Sequence, residues 1–244
     1  MMKKIFAANW KLFKTPTQAR DFFSEFLKHV NKIQGEVIFF PQAFSLEAVS
    51  HSIGHSKVGF GPQNIWIENE GAFTGENSAK TAKSLNSTHA LVGHSERRKI
   101  FGESDEQLSL KLKLVQAENM IPVYCIGETL EAREAGQTNQ VNQRQLELGL
   151  QGIDKSKKIV VAYEPVWAIG TGKVATPDQV KEAHAFIRQT LDQMGLKDTP
   201  ILYGGSVKPD NAASLLSIPH VDGFLVGGES LEVKSFLGIC QVSI

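Results

Sequence analysis

Ile159-Val160-Val161-Ala162-Tyr163-Glu164-Pro165 is a short apolar, β-branched run that stops at a carboxylate and a proline. Beyond a glycine-rich stretch, Thr176 and Pro177 mark a helix start, an N-cap followed by a favoured first-turn residue, and the amphipathic segment runs from Pro177 to Leu196 and ends near Gly195. A second apolar run, Ile201 to Gly204, follows. Apolar strands joined through one helix are parallel and buried on both faces, because an antiparallel meander shows tighter turns and cleaner alternation.

The same unit repeats outward in both directions. Strand candidates are Lys4 to Asn9, Glu36 to Phe40, Lys57 to Gly61, His89 to Gly93, Ile121 to Ile126, Ile159 to Tyr163, Ile201 to Gly204 and Gly223 to Val226. Between them, Thr17 to Ile33 places Phe22, Phe23, Phe26, Leu27 and Val30 on one helical face, and the Gln-rich stretch Glu131 to Gln151 is helical in composition. The class is α/β. About eight βα units in 244 residues fit a closed (β/α)₈ barrel better than a doubly wound sheet, and no linker or composition break divides the chain, so residues 1–244 read as a single domain.

Lys plus Arg and Asp plus Glu are each 26, a formal net charge of zero, which argues against a nucleic-acid binder driven by phosphate neutralisation. Apolar runs such as Val37 to Phe40 fall far below the ~18 residues of a membrane helix, so no membrane association is expected. The basic start, Met1 to Lys11, is interrupted by Asn9 and closed by Lys11, and reads as a first strand rather than a secretory signal. Two cysteines, Cys125 and Cys240, make neither a disulfide framework nor a zinc spacing. Together these features suit a cytoplasmic protein.

In a barrel of this kind, functional groups sit at the carboxyl ends of strands. The first strand ends Asn9-Trp10-Lys11, the fourth Gly93-His94-Ser95-Glu96-Arg97-Arg98, and the sixth Tyr163-Glu164-Pro165. Taken singly, a Glu before Pro is more often a turn residue, a strand-end His a satisfied core group, and Lys11 a solvated charge. Converging on one mouth, they supply a general base, a hydrogen-bond donor to a developing oxyanion and an anion-holding cation, a set suited to proton transfer beside a carbonyl. Glycines follow the last three strands, at Gly170-Thr171-Gly172-Lys173, Gly204-Gly205-Ser206 and Gly227-Gly228. They let backbone N–H groups face a phosphate, and a short helix after Gly228 would aim its positive end there.

Other patterns carry no chemistry. Gly172-Lys173 is no P-loop, since Trp167 stands where the leading glycine belongs and Val174 follows the lysine. Asn86-Ser87-Thr88 is a sequon in a chain without a secretion signal. His51 and His55 share a helix face at i, i+4 spacing but lack a metalloprotease pattern, and read as surface residues.

With these residues in place, the chain resembles the triosephosphate isomerase family. The resemblance rests on Ala8-Asn9-Trp10-Lys11, Gly71 to Glu76, Gly93 to Arg98, Cys125-Ile126-Gly127-Glu128, Ala162 to Gly172, Tyr203 to Val207 and Val226-Gly227-Gly228, spanning nearly the whole chain. It implies a homodimeric (β/α)₈ TIM barrel that interconverts dihydroxyacetone phosphate and D-glyceraldehyde 3-phosphate in glycolysis and gluconeogenesis, with no metal or organic cofactor. By the same resemblance Glu164 is the base, His94 the electrophile, Lys11 the cation for phosphate and enediolate, Asn9 a polar contact, and Glu96 a support for Lys11 and for proton handling. Gly170, Ser206, Gly227 and Gly228 would bind phosphate. Pro165, Val166, Trp167, Ala168, Ile169 and Thr171, in the segment Pro165 to Thr171, would form a lid that Tyr203 helps to hold closed. Thr74, at the tip of the Asn64–Glu76 loop, would reach into the partner's site near Asn9 and His94, with Glu76 and Arg97 pairing near that interface.

Two departures stand out. Glu229 follows Gly228 where the family usually has Ala, and a carboxylate there would repel a phosphate unless it points outward. Leu12-Phe13 is more apolar than the family's usual Met-Asn. Two alternatives compete with this activity: another phosphosugar isomerase, which would use other acids or a metal, and a non-catalytic phosphate-binding barrel. The latter should have lost Lys11, His94 or Glu164, and all three are present.

Overall fold

The computed structural model describes residues 3–168 and 175–242. Its eight strands are β1 (Ile5–Asn9), β2 (Glu36–Phe40), β3 (Gly59–Phe60), β4 (His89–Val92), β5 (Ile121–Ile126), β6 (Val160–Tyr163), β7 (Ile201–Tyr203) and β8 (Gly223–Val226). Every laddered pair is parallel, in the order β3-β2-β1-β8-β7-β6-β5-β4. The seam between β3 and β4 is drawn together by two backbone bonds, Thr88 N to Phe60 O (2.9 Å) and Leu91 N to Pro62 O (2.9 Å). Gly61 makes that approach possible: a Cβ there would lie 1.6 Å from the carbonyl oxygen of His89.

The lack of polar alternation in the strands has a direct cause. Alternate residues enter two separate apolar cores. Ile5, Ala7, Ile38, Phe40, Leu91, Val123, Cys125, Val160, Ala162, Leu202 and Leu225 fill the barrel axis, while Phe6, Ala8, Phe39, Ala90, Tyr124, Val161 and Phe224 join the helix-facing core. The barrel is therefore packed through its middle, and ligand space remains only at its two ends.

The helices differ from the sequence reading mainly at their ends. The first runs Pro16–Phe26 from a Thr15–Gln18 capping box and gives way to a 3₁₀ turn at Val30–Lys32. Glu131 to Gln151 is two helices, Leu130–Glu134 and Thr138–Gly149, parted by Gly136 at φ +69°. His51 and His55 do not share a helix: the helix Leu46–Ile53 ends at Gly54, so His55 falls beyond it, although both side chains are exposed. After β8 the chain makes a 3₁₀ turn, Gly228–Leu231, which Trp10 ties to β1 by donating Nε1–H to Ser230 O at 3.1 Å. No helix among the described residues is long and apolar enough to cross a membrane.

Candidate active site

The carboxyl ends of β1, β4 and β6 bring Lys11, His94 and Glu164 together. Lys11 takes a left-handed backbone conformation (φ +48°), costly for a side-chain-bearing residue, and its N–H donates to Asn9 Oδ1 at 3.0 Å. Gln63 secures this turn by donating to Lys11 O (2.7 Å) and Phe40 O (2.8 Å). The Lys11 ammonium meets Glu96 Oε1 at 2.7 Å.

His94 is the N-cap of the helix Ser95–Phe101, and its Nδ1 accepts the Glu96 N–H at 3.3 Å. With that nitrogen accepting, the ring proton belongs on Nε2, which lies 2.9 Å from Glu164 Oε1. The other Glu164 oxygen accepts the Ser95 N–H at 2.9 Å, so this buried carboxylate rests on the positive end of the same helix. Backbone packing fixes where Glu164 starts: its N–H donates to Ile126 O at 2.7 Å, and a Cβ on Gly127 (φ +157°) would come within 1.8 Å of Glu164 O.

Burial works against ionisation of Glu164, yet the His94 ring, the Ser95 N–H and Lys11 outweigh it and hold the carboxyl below its usual range. For His94, burial lowers the pKa, but the charge and hydrogen bond of Glu164, aided by Glu96, leave it raised. Cys125, packed against Glu164, has its thiol pushed well up, by burial first and then by that carboxylate.

These groups border a cavity of about 290 Å³ with Asn9, Ser206, Gly227 and Gly228. Gly227 and Gly228 leave backbone bare: a Cβ on Gly228 would meet nothing within 4 Å, and one on Gly227 only Lys11 Cε at 3.7 Å. Two residues that the sequence reading assigned no role belong to this end of the barrel, the first in the cavity wall and the second behind it. Lys208 adds a cation two positions after Ser206, in the loop already singled out for its glycines. Glu128, just after β5, is fully buried and accepts from Tyr163 Oη (3.1 Å) and Trp167 Nε1 (2.9 Å), with Arg133 Nη1 at 3.4 Å. The strand-end rule that found Glu164 also points to Glu128, which ties the 3₁₀ turn Val166–Ala168 to the barrel. Glu229 borders the cavity, and its carboxylate accepts the hydroxyl of Ser235.

Of the lid residues, Pro165, Val166, Trp167 and Ala168 precede the described break, while Ile169, Gly170 and Thr171 lie outside the described residues. Tyr203 is buried, with a hydroxyl that has no hydrogen-bond partner among the described residues. Thr74 is exposed on its loop, whose base is pinned by Trp66 N to Asn77 O (2.8 Å) and by Asn64 Oδ1, which accepts from the buried Lys111 ammonium at 2.7 Å. Arg97 pairs with Glu103 at 2.6 Å rather than with Glu76 within the chain, because Glu103 also anchors Lys111 and lies beside it.

A packed parallel barrel whose carboxyl-end mouth holds a carboxylate, an imidazole and an ammonium around one small cavity defines a (β/α)₈-barrel enzyme acting on small molecules. The family model described as "Triosephosphate isomerase" matches residues 4–243. The chain is 57% identical to the triosephosphate isomerase of Bdellovibrio bacteriovorus, over 99% of this chain and all of the relative. It is 42% identical to that of Thermus thermophilus, over the full length of both. A crystal structure of the triosephosphate isomerase from Bartonella henselae superposes with a TM-score of 0.88 at 36% identity, covering 98% of each chain. The chain belongs to the triosephosphate isomerase family.

Proposed function

We propose that this mouth interconverts dihydroxyacetone phosphate and D-glyceraldehyde 3-phosphate, the glycolytic and gluconeogenic step of the family, by proton transfer through an enediolate. The supporting observation is the single cavity of about 290 Å³ that Lys11, His94, Glu164, Ser206, Gly227 and Gly228 share. Its size suits a three-carbon phosphate.

Phosphate binds on the bare backbone of Gly227 and Gly228 and on Ser206, with Gly170 joining from the lid and Lys11 and Lys208 supplying positive charge. The carbonyl end then lies between His94, Asn9 and Lys11. Glu164 leaves the Ser95 N–H to remove the proton from one carbon and return it to the neighbour. As it leaves, His94 loses its two largest pKa-raising influences, while burial and Lys11 keep lowering its pKa. The ring therefore works as a neutral Nε2–H donor to the enediolate oxygens, a pairing of Glu base and neutral His for which this family is itself the standard illustration. Closing the lid from Pro165 to Thr171 excludes water, with Glu128 holding its near end and the unpaired Tyr203 hydroxyl receiving it.

The chain acts as a homodimer in this reading. Leu12, Phe13, Phe44, Ile100 and Phe101 are exposed apolar side chains around a groove of about 620 Å³ that also reaches Asn9, Lys11 and His94. The Asn64–Glu76 loop of a second copy, led by Thr74, fits that role and would cover the site, and a cytoplasmic setting goes with the reaction.

The test is isomerisation of D-glyceraldehyde 3-phosphate by purified protein, coupled to an NADH-dependent reductase, beside Glu164→Ala and with 2-phosphoglycolate as inhibitor. Inhibitable turnover that collapses in the variant is the expected result. A folded protein without turnover would overturn the reading.

A further inference from the structure

The opposite end of the barrel holds a second cavity, of about 610 Å³, which the isomerase reaction does not use. Its apolar floor is made by Ile5, Ile121, Ile159 and Val160 at the amino ends of β1, β5 and β6, with Leu196 from the turn that precedes β7. Its rim carries five lysines, Lys3, Lys155, Lys157, Lys158 and Lys197, against two acids, Glu36 and Asp198.

That local excess of three positive charges (5 − 2) stands out in a chain whose formal net charge is zero. Among the described residues none of the five lysines is ion-paired. Lys155 donates to Met194 O at 2.8 Å, and Lys157 to Gln116 O at 2.7 Å and Asn119 Oδ1 at 3.2 Å, which fixes both ammonium groups in place; the exposed Asp154 feels the charge of Lys157 but forms no ion pair with it. Lys158 lies close enough to the buried His89 of the cavity wall to help depress its pKa. Like charges gathered on one rim repel, and a bound anion removes that repulsion. An apolar floor under a cationic rim selects an amphiphilic anion over a bare one.

We propose that this amino-end cavity is a binding site for an organic polyphosphate, its ring lying on the Ile5–Ile159–Leu196 floor and its phosphates against the lysines. The packed barrel axis separates it from the reaction mouth, so both ligands bind at once.

Isothermal titration of the full chain, with the reaction mouth filled by 2-phosphoglycolate, tests this with metal-free ATP and with inorganic tripolyphosphate as probes. Saturable binding of one ATP per chain is expected, weakened at least ten-fold in Lys3→Gln/Lys158→Gln/Lys197→Gln and unchanged in Lys208→Gln. Thermal unfolding of the triple variant without anion should occur no lower than in the parent, since rim repulsion is relieved, and its turnover should match the parent, which shows that the fold is intact. Tripolyphosphate is expected to bind at least ten-fold more weakly than ATP; equal affinities would overturn the role of the apolar floor. Absence of saturable ATP binding, or equal binding by the triple variant, would overturn the site.

Discussion

Two histidines lie five residues apart at the two ends of β4, and their surroundings drive them in opposite directions. His89, at the amino end, is buried beside Lys158, and burial first and that cation second push its pKa down to about 3. His94, at the carboxyl end, is nearly as buried, but the Glu164 carboxylate 2.9 Å away overcomes burial and leaves its pKa raised. Burial alone therefore does not set the chemistry of a strand end. The difference is charge compensation: at the carboxyl-end mouth Lys11 has Glu96 at 2.7 Å and His94 has Glu164 at 2.9 Å, whereas at the amino end Glu36 stands farther from His89, at 3.6 Å, and Lys158 opposes it.

The strongest way to break the comparison is to remove a compensating charge from the reacting mouth. Lys11→Met strips Glu96 of its ammonium partner and takes away the cation facing the substrate, and is expected to abolish both turnover and inhibition by 2-phosphoglycolate in the coupled assay. Glu164→Asp keeps the charge but withdraws the carboxylate by ~1 Å, and should lower kcat about 10²-fold with KM little changed. An unchanged kcat would remove Glu164 from the role of base.

Acid stability sharpens the contrast between the two histidines. His89 stays neutral in the folded chain to about pH 3, while in the unfolded chain it takes up a proton near pH 6.5, so it costs stability as pH falls below 6.5. His94 has the opposite sign: its raised pKa gives stability that is full below the unfolded value and is lost as pH rises through the folded one. In urea unfolding, His89→Asn should flatten the loss of stability between about pH 6.5 and 4.5 by up to about 1.4 kcal/mol per pH unit, whereas His94→Gln should leave that limb unchanged and remove only the stability gained as pH falls towards 6.5 from above.

The smallest expected effect concerns Glu229, the uncompensated acid at the reacting mouth. Ser235 holds its carboxylate. Ser235→Ala frees that charge beside the phosphate site and is expected to raise KM two- to five-fold at low salt without changing kcat, an effect of ~0.4–1 kcal/mol. Adding Glu229→Ala should restore the parental KM, and a KM that stays raised in the double variant would trace the effect to local packing.

The legibility of the chain follows the range of the forces involved. Strand and helix positions were visible because β-branched runs, the Thr176–Pro177 start signal and breaker glycines act within a few residues, although the Thr15–Gln18 capping box starts the first helix one residue earlier than its apolar face suggested. The same locality hid the break at Gly136, since Gln-rich composition does not show where one helix stops and another starts. Strand-end position singled out Asn9, Lys11, His94 and Glu164, and that rule, taken to the end of β5, also reaches Glu128.

By itself the sequence determined a parallel eight-strand barrel, the residues offered at each strand end and, through its motifs, the family. Only the tertiary structure decided which of those residues meet: that Glu164 rests on Ser95 and His94, that Glu128 grips Trp167, that Arg97 meets Glu103 within its own chain, and that five lysines from three stretches share one rim. The physical reason is distance along the chain. A hydrogen bond or charge pair between residues tens of positions apart depends on how strands are staggered and how closely Gly61 and Gly127 let them approach, and no local pattern records that.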